Sequence, residues 1–208
     1  MNVIPNAPRL RQDLRIAVVL AAAAAVATLA VIPYLLQIDP ARMTGGGAIP
    51  LPALVAIQAM SMFILCALLA WSGLRMGHRV GLGAPLLQHW VSRHGDARIR
   101  DRKPWQTIGL GVVVAIAILV LSRVLDPLLL PTTEIRMTDI VGARSALYGL
   151  MGAFYGGIVE ELQLRLFLMT LIAWGATWVL RRRAGFDGTL APRVAWAAIL
   201  IAALLFGL

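Results

Sequence analysis

Residues 155–180, YGGIVEELQLRLFLMTLIAWGATWVL, combine an apolar run long enough to cross a bilayer with two adjacent carboxylates and an arginine. A charged side chain at the centre of a membrane helix costs about 2.5–3.5 kcal/mol on insertion scales. Glu160, Glu161 and Arg165 therefore need a physical reason to lie there, which the rest of the sequence has to supply.

The composition of the chain is that of an integral membrane protein. Of its 208 residues 60% are hydrophobic and only 14% charged, and the mean hydropathy is +0.81; a soluble domain is about 45–50% apolar. The net charge of +9 comes from basic residues between apolar runs, where they set topology and meet lipid head groups. We therefore expect membrane lipids as partners and exclude nucleic acid. The single cysteine, Cys66, lies in an apolar run, cannot form an internal disulfide and is predicted to be buried.

Five apolar segments predict an all-α, polytopic transmembrane helix bundle, because a spanning helix needs about 20 apolar residues. The first has an alanine-rich core, but it is longer than the apolar region of a typical signal peptide and is predicted to be a retained helix. The last is short and ends in AALLFGL with no polar tail, so we expect the sequence to continue. The five segments are 16–36, 51–74, 107–125, 146–180 and 194–208.

The fourth segment is too long for one straight membrane helix. A helix over 146–180 would measure about 52 Å against a hydrocarbon core of about 30 Å. We expect it to bend, tilt or break, with the Gly156-Gly157 pair as the weak point. Gly152 and Gly156 also form a GxxxG pattern, which allows close helix approach.

The charges between the segments predict the orientation of the chain. The 75–103 loop is strongly basic, as is the stretch from Arg181 to Arg193, whereas the 126–144 connection carries nearly balanced charge. Since basic loops stay in the cytoplasm, the amino terminus is predicted to be cytoplasmic and the protein to lie in the inner membrane.

The histidines of the chain give no sign of a metal site. His78, His89 and His94 all fall in the basic loop, lack a ligand spacing and are predicted to be solvated. No Cys/His cluster or nucleotide-binding loop is present in the sequence, so we predict no cofactor and no metal.

The charged cluster divides into a pair and a single carboxylate. Glu161 and Arg165 are four residues apart on one helical face, while Glu160 projects about 100° away. The arginine keeps one carboxylate charged and leaves the other available to take a proton from water. We expect all three side chains to face the bundle interior, and replacement of Arg165 by lysine to be poorly tolerated because lysine lacks the planar fork. The alternative interpretation is a structural ion pair that locks helices together.

The pattern EExxxR at Glu160, Glu161 and Arg165 resembles the first motif of the CPBP intramembrane proteases, also called Abi proteins. This family includes CAAX prenyl endopeptidases and bacteriocin-processing or immunity proteins. Its second motif is FxxxH on the next helix, and Phe206 stands where that motif would begin. The chain departs from the family at Leu164 and Leu166, where an aromatic residue and a glycine are common.

The resemblance implies a role for each residue of the cluster. Glu160 would be the general base that activates water, and Glu161 and Arg165 would orient the site. Residues 146–208 would begin the catalytic core, preceded by a variable amino-terminal region over 1–145. It also implies a histidine two positions beyond Leu208, followed by a second histidine and an asparagine. A chain ending at Leu208 would then be inactive.

The implied reaction is hydrolysis of a peptide bond within or beside the membrane, without a metal, in a peptide or membrane-protein substrate. Two other functions remain open. A non-catalytic immunity or scaffold protein would keep the ion pair for packing. A proton-coupled transporter would use Glu160 as the proton carrier, but it would be expected to show broken helices in both halves of the chain.

Overall fold

A computed structural model describes residues 10–38, 49–82, 104–129, 143–180 and 192–206. Within these ranges the chain forms five helices and no strand, so the predicted all-α helix bundle is confirmed. The helices, in chain order, are α1 (Leu10–Ile38), α2 (Leu51–Val80), α3 (Pro104–Leu129), α4 (143–180) and α5 (Pro192–Phe206).

Four of these helices are long and apolar enough to cross a membrane, as the sequence predicted for its first four segments. The apolar part of α5, Pro192–Leu205, is shorter than a typical span. In α3 no residue of the window Ile108–Leu125 is buried within the described part of the chain, which suits a helix surrounded by lipid.

Helix α2 continues past the predicted limit of its apolar run at Leu74 and ends at Val80. Gly81 has φ +74°, the left-handed conformation that ends many helices and that glycine adopts without strain. The backbone N–H groups of Gly81 and Leu82 both donate to the carbonyl of Gly77 and so satisfy part of the helix end. His78 and Arg79 therefore belong to the last turn of a helix.

An alanine stripe on α1 forms the centre of the core. Its alanines recur every three or four residues and so lie on one helix face. This face packs against Cys66 and Ala70 of α2 and against Val159 and Leu162 of α4. The predicted burial of Cys66 is confirmed, since its exposed fraction is 0%. Small side chains allow the three helices to approach closely without a large residue between them. The alanines are Ala17, Ala21, Ala24 and Ala27.

The close approach between α2 and α4 takes place at Gly73. A Cβ placed on Gly73 would collide with the carbonyl oxygen of Leu166 and lie 2.9 Å from its carbonyl carbon. At Gly152, by contrast, nothing lies within 4 Å of such an atom among the described residues. The Gly152–Gly156 pattern, which allows a close helix approach, therefore shows no such contact at Gly152 among the described residues. Gly73 belongs to a second GxxxG pattern with Gly77, but a Cβ on Gly77 would collide with the carbonyl oxygen of Leu82 and lie 3.6 Å from Cγ2 of Thr170, so only Gly73 makes the close contact with α4.

We expect Gly73→Ala to destabilise the bundle and Gly175→Ala to stabilise it. In a helix alanine is favoured over glycine by about 0.5–1 kcal/mol, and no described residue lies within 4 Å of a Cβ at Gly175. At Gly73 the new methyl group meets backbone that cannot rotate away, and such overpacking costs about 1–3 kcal/mol. Denaturant unfolding in detergent measures both variants. Equal shifts of the same sign would show that α2 and α4 do not meet at Gly73.

Candidate functional site

The stretch that carries the charged cluster is wound more widely than an α-helix. Helix α4 is α-helical over Ala143–Tyr155 and Thr170–Leu180, but π-helical over Gly156–Glu160 and Leu162–Met169. The change of winding begins at Gly156, the predicted weak point, but the helix continues through it without a break. The hydroxyl of Thr170 donates to the carbonyl of Arg165, five residues back, at 3.3 Å. π-Helical turns are rare in proteins, and those that occur are often found at functional sites.

The inner face of this wide segment is apolar. Val159 and Leu162 are 1% and 4% exposed and pack against the alanine stripe of α1. These two residues occupy the inward positions on either side of Glu160 and Glu161. The carboxylates therefore cannot point into the same core.

Glu161 and Arg165 form the predicted ion pair, with 3.0 Å between Oε2 and Nε. The prediction that they face the bundle interior is wrong for the described part of the chain, where their side chains are 49% and 76% exposed. That prediction rested on the cost of exposing charge to lipid, and it did not anticipate that Val159 and Leu162 take the inward positions of this segment. Among the described residues, the pair therefore lies on an uncovered side of α4.

Glu160 has a different environment from its neighbour. Its side chain is half-buried and lies over Gly156, where an added Cβ would come within 3.2 Å of Oε2. The Tyr155 phenol lies within electrostatic reach of this carboxylate. Among the described residues no hydrogen bond or ion pair holds Glu160, so the predicted division into one paired and one single carboxylate is confirmed.

Helix α5 lies beside the cluster. It contacts the Leu162–Met169 segment that carries Arg165 and also the following Thr170–Leu180 segment. Its last described residue is Phe206, the predicted start of a second motif, whose side chain is outside the described part of the structure. Helix α5, which would carry the second motif, thus contacts the part of α4 that carries Arg165 of the first motif.

Removal of Arg165 is expected to destabilise the protein through Glu161. Arg165→Leu leaves a carboxylate on the outer side of a membrane helix without its partner, at a cost of about 2.5 kcal/mol. The double variant Glu161→Gln/Arg165→Leu should regain most of this loss because no lone charge remains. Unfolding of both variants in bicelles provides the measurement. A double variant as unstable as the single one would contradict the pairing.

A second polar pair, which the sequence reasoning missed, joins α1 to α2. The Nε2 atom of His78 lies 2.9 Å from Oδ1 of Asp13, and the side chains are 20% and 3% exposed. The prediction of a solvated loop histidine is therefore wrong for His78, while His89 and His94 lie outside the described residues. The second oxygen of Asp13, Oδ2, is buried with no hydrogen-bond partner in the described chain. An acidic residue within a basic tail was the only sequence signal for this pair.

In the described ranges, His, Cys, Asp and Glu residues nowhere come together in groups of three that could hold a metal ion. We assign no cofactor-binding residues. No family model matches the chain, and comparison with curated proteins and with solved structures also finds no match. The resemblance to the CPBP proteases therefore remains a prediction from the EExxxR pattern.

Proposed function

We propose that the protein is an intramembrane endopeptidase in which Glu160 activates a water molecule for attack on a peptide carbonyl. The observation that carries this proposal is the unequal environment of the two adjacent carboxylates. Glu161 is held by Arg165, whereas Glu160 has no such partner among the described residues. Two neighbouring carboxylates with different surroundings can take different chemical roles.

In the proposed reaction a water proton passes to the Glu160 carboxylate while the water oxygen forms a bond to the carbonyl carbon. The C–N bond then breaks, and the proton held by Glu160 passes to the leaving amine. Glu161 and Arg165 act as positioning residues, since their ion pair fixes one end of the wide segment next to Glu160.

The surroundings of Glu160 suit this role. Gly156 leaves open the side of the helix on which the carboxylate lies, and a larger residue there would crowd its oxygens. Glu160 lies in a π-helical turn, and its exposure is intermediate between that of the buried Val159 and Leu162 and that of the exposed pair. The substrate class that fits is a peptide or membrane protein presented in or beside the inner membrane, with the amino terminus of the protease in the cytoplasm.

Hydrolysis in isotopically labelled water tests the proposal. The full-length protein is reconstituted in liposomes with a library of single-span peptides in H₂¹⁸O, and the products are analysed by mass spectrometry. We expect each new carboxyl terminus to contain ¹⁸O in the wild type and no product with Glu160→Gln. Absence of cleavage by the wild type, or equal cleavage by both proteins, would contradict the proposal.

The exposed Glu161–Arg165 pair favours one rival function, a non-catalytic membrane scaffold or immunity protein that uses the pair to bind a partner helix. In that case Arg165→Leu abolishes partner binding in a pull-down, and Glu160→Gln leaves it intact. A proton-coupled transporter is a weaker candidate because only α4 among the described helices contains π-helical turns.

A further inference from the structure

Two buried threonines of α4 bond their own backbone with different spacings. The hydroxyl of Thr177 donates to the carbonyl of Ala173, four residues back, at 2.7 Å, which is usual for threonine in an α-helix. The hydroxyl of Thr170 donates to the carbonyl of Arg165, five residues back, at 3.3 Å. Regular α-helix resumes at Thr170 after the wide Leu162–Met169 segment, so this hydroxyl spans the last wide turn.

Helix α2 presents two glycines to this turn of α4. The carbonyl four residues before Thr170 belongs to Leu166, and its oxygen lies where a Cβ on Gly73 would collide with it. The Cγ2 atom of Thr170 lies 3.6 Å from the place of a Cβ on Gly77. The Leu166 carbonyl therefore lies against α2, and the Thr170 side chain has its methyl group towards α2 and its hydroxyl towards Arg165.

The Thr170 hydroxyl is connected to the charged cluster through Arg165. The backbone carbonyl of Arg165 accepts this hydrogen bond, and the Arg165 side chain pairs with Glu161, with 3.0 Å between Nε and Oε2. Glu161 directly follows Glu160 in the chain. Since a membrane helix has little water to replace a lost backbone partner, removal of the hydroxyl favours a change in the winding of this turn. Such a change would move Arg165 and, with it, the ion pair beside Glu160.

We propose that Thr170 is a positioning residue for the Glu160 site, because its hydroxyl holds the last wide turn and so sets the place of Arg165. This inference rests on the proposed peptidase function. Thr170 itself is buried, and no step of the reaction passes through it. Loss of its hydroxyl should therefore lower kcat and leave KM unchanged.

Steady-state kinetics of the full chain and three variants test the proposal, with the peptide that the labelled-water experiment identifies. Thr170→Val keeps the branched shape and a methyl group but removes the hydroxyl. We expect kcat to fall about fivefold to tenfold, the equivalent of one neutral hydrogen bond. Thr170→Ser keeps the hydroxyl without the methyl group and should retain most of the activity. Thr177→Val removes a hydroxyl from a regular turn of the same helix and serves as the matched control, with kcat unchanged.

Nuclear magnetic resonance measures the hydrogen bond itself without any substrate. Arginine labelled with ¹³C at the carbonyl and leucine labelled with ¹⁵N together report Arg–Leu peptide bonds, which occur in the sequence only at residues 9–10 and 165–166. Hydrogen bonding deshields a carbonyl carbon, so the Arg165 resonance should move upfield in Thr170→Val and stay in place in Thr170→Ser and Thr177→Val. Arg165→Lys identifies this resonance because it removes one of the two signals.

The outcomes separate this inference from the proposed function. Equal kcat values for Thr170→Val and Thr177→Val, or an Arg165 carbonyl resonance that does not move, would overturn the inference and leave Glu160 as the general base. A loss of activity in Thr170→Ser as large as in Thr170→Val would also overturn it, because methyl packing would then be the cause. Absence of cleavage by the wild type would overturn the proposed function together with the inference. If Thr170→Val fails to fold, as judged by circular dichroism, Thr170→Ala replaces it, and its difference from Thr170→Ser measures the effect of the hydroxyl.

Discussion

Glu160→Gln is expected to lower the turnover number for peptide hydrolysis by about 10²–10⁴-fold, the usual contribution of a positioned general base. Glutamine keeps the shape of the side chain and its place over Gly156, but its amide cannot accept the water proton. The change should therefore affect kcat far more than KM. Steady-state kinetics with the best peptide from the labelled-water experiment measure the effect.

Two neighbouring glycines provide a matched control for the position of this carboxylate. A methyl group at Gly156 would lie 3.2 Å from Oε2 of Glu160 and would displace it, whereas at Gly157 nothing lies within 4 Å among the described residues. Gly156→Ala should therefore lower kcat with Glu160 still present, and Gly157→Ala should not. Equal effects of the two changes, or full activity of Glu160→Gln, would remove Glu160 from the reaction.

His78→Ala is expected to reduce the free energy of unfolding by about 3 kcal/mol, the lower end of the range for breaking a buried pair. Asp13 is 2% exposed, its Oδ2 already lacks a partner in the described chain, and the variant removes the hydrogen bond of Oδ1 as well. The lower value is appropriate because His78 is 20% exposed and water can replace part of the bond. Reversible unfolding in mixed detergent micelles gives the measurement.

A double variant shows whether the loss of stability in His78→Ala comes from the unpaired Asp13 or from general damage to the end of α2. Asp13→Leu/His78→Leu removes both polar groups and should be clearly more stable than His78→Ala. Ser72→Ala, on the same helix, serves as the control. The Ser72 hydroxyl donates to the backbone carbonyls of Leu68 and Leu69 in its own helix, so its removal should change stability little. If the double variant is no more stable than His78→Ala, Asp13 is not the reason for the loss.

The sequence was sufficient to predict the helices that have strong apolar runs. Four spans and the burial of Cys66 follow from length and hydropathy alone. These properties depend on local sequence, and the bilayer dictates the minimum length of each helix.

The side of α4 on which the charged cluster lies could not be predicted from the sequence in the same way. A projection of 100° per residue places Glu161 and Arg165 on one face, but it cannot say that the turns widen or that Val159 and Leu162 take the inward positions. Tertiary packing against the alanine stripe decides that direction.

The pair of Asp13 and His78 was missed for a related reason. The two residues are 65 positions apart, and each stands at the end of an apolar run, where polar residues usually face water. Likewise, both GxxxG patterns are visible in the sequence, and only the positions of α2 and α4 show which one forms a contact.

The burial of Cys66 beneath the alanine stripe also provides a way to measure how often the helices separate. Cys66 is the only cysteine among the 208 residues, and it is fully buried in the core formed by α1, α2 and α4. A maleimide in solution can therefore react with it only when those helices separate, and the rate of labelling measures how often they do. Within these 208 residues no cysteine has to be introduced or removed for this measurement.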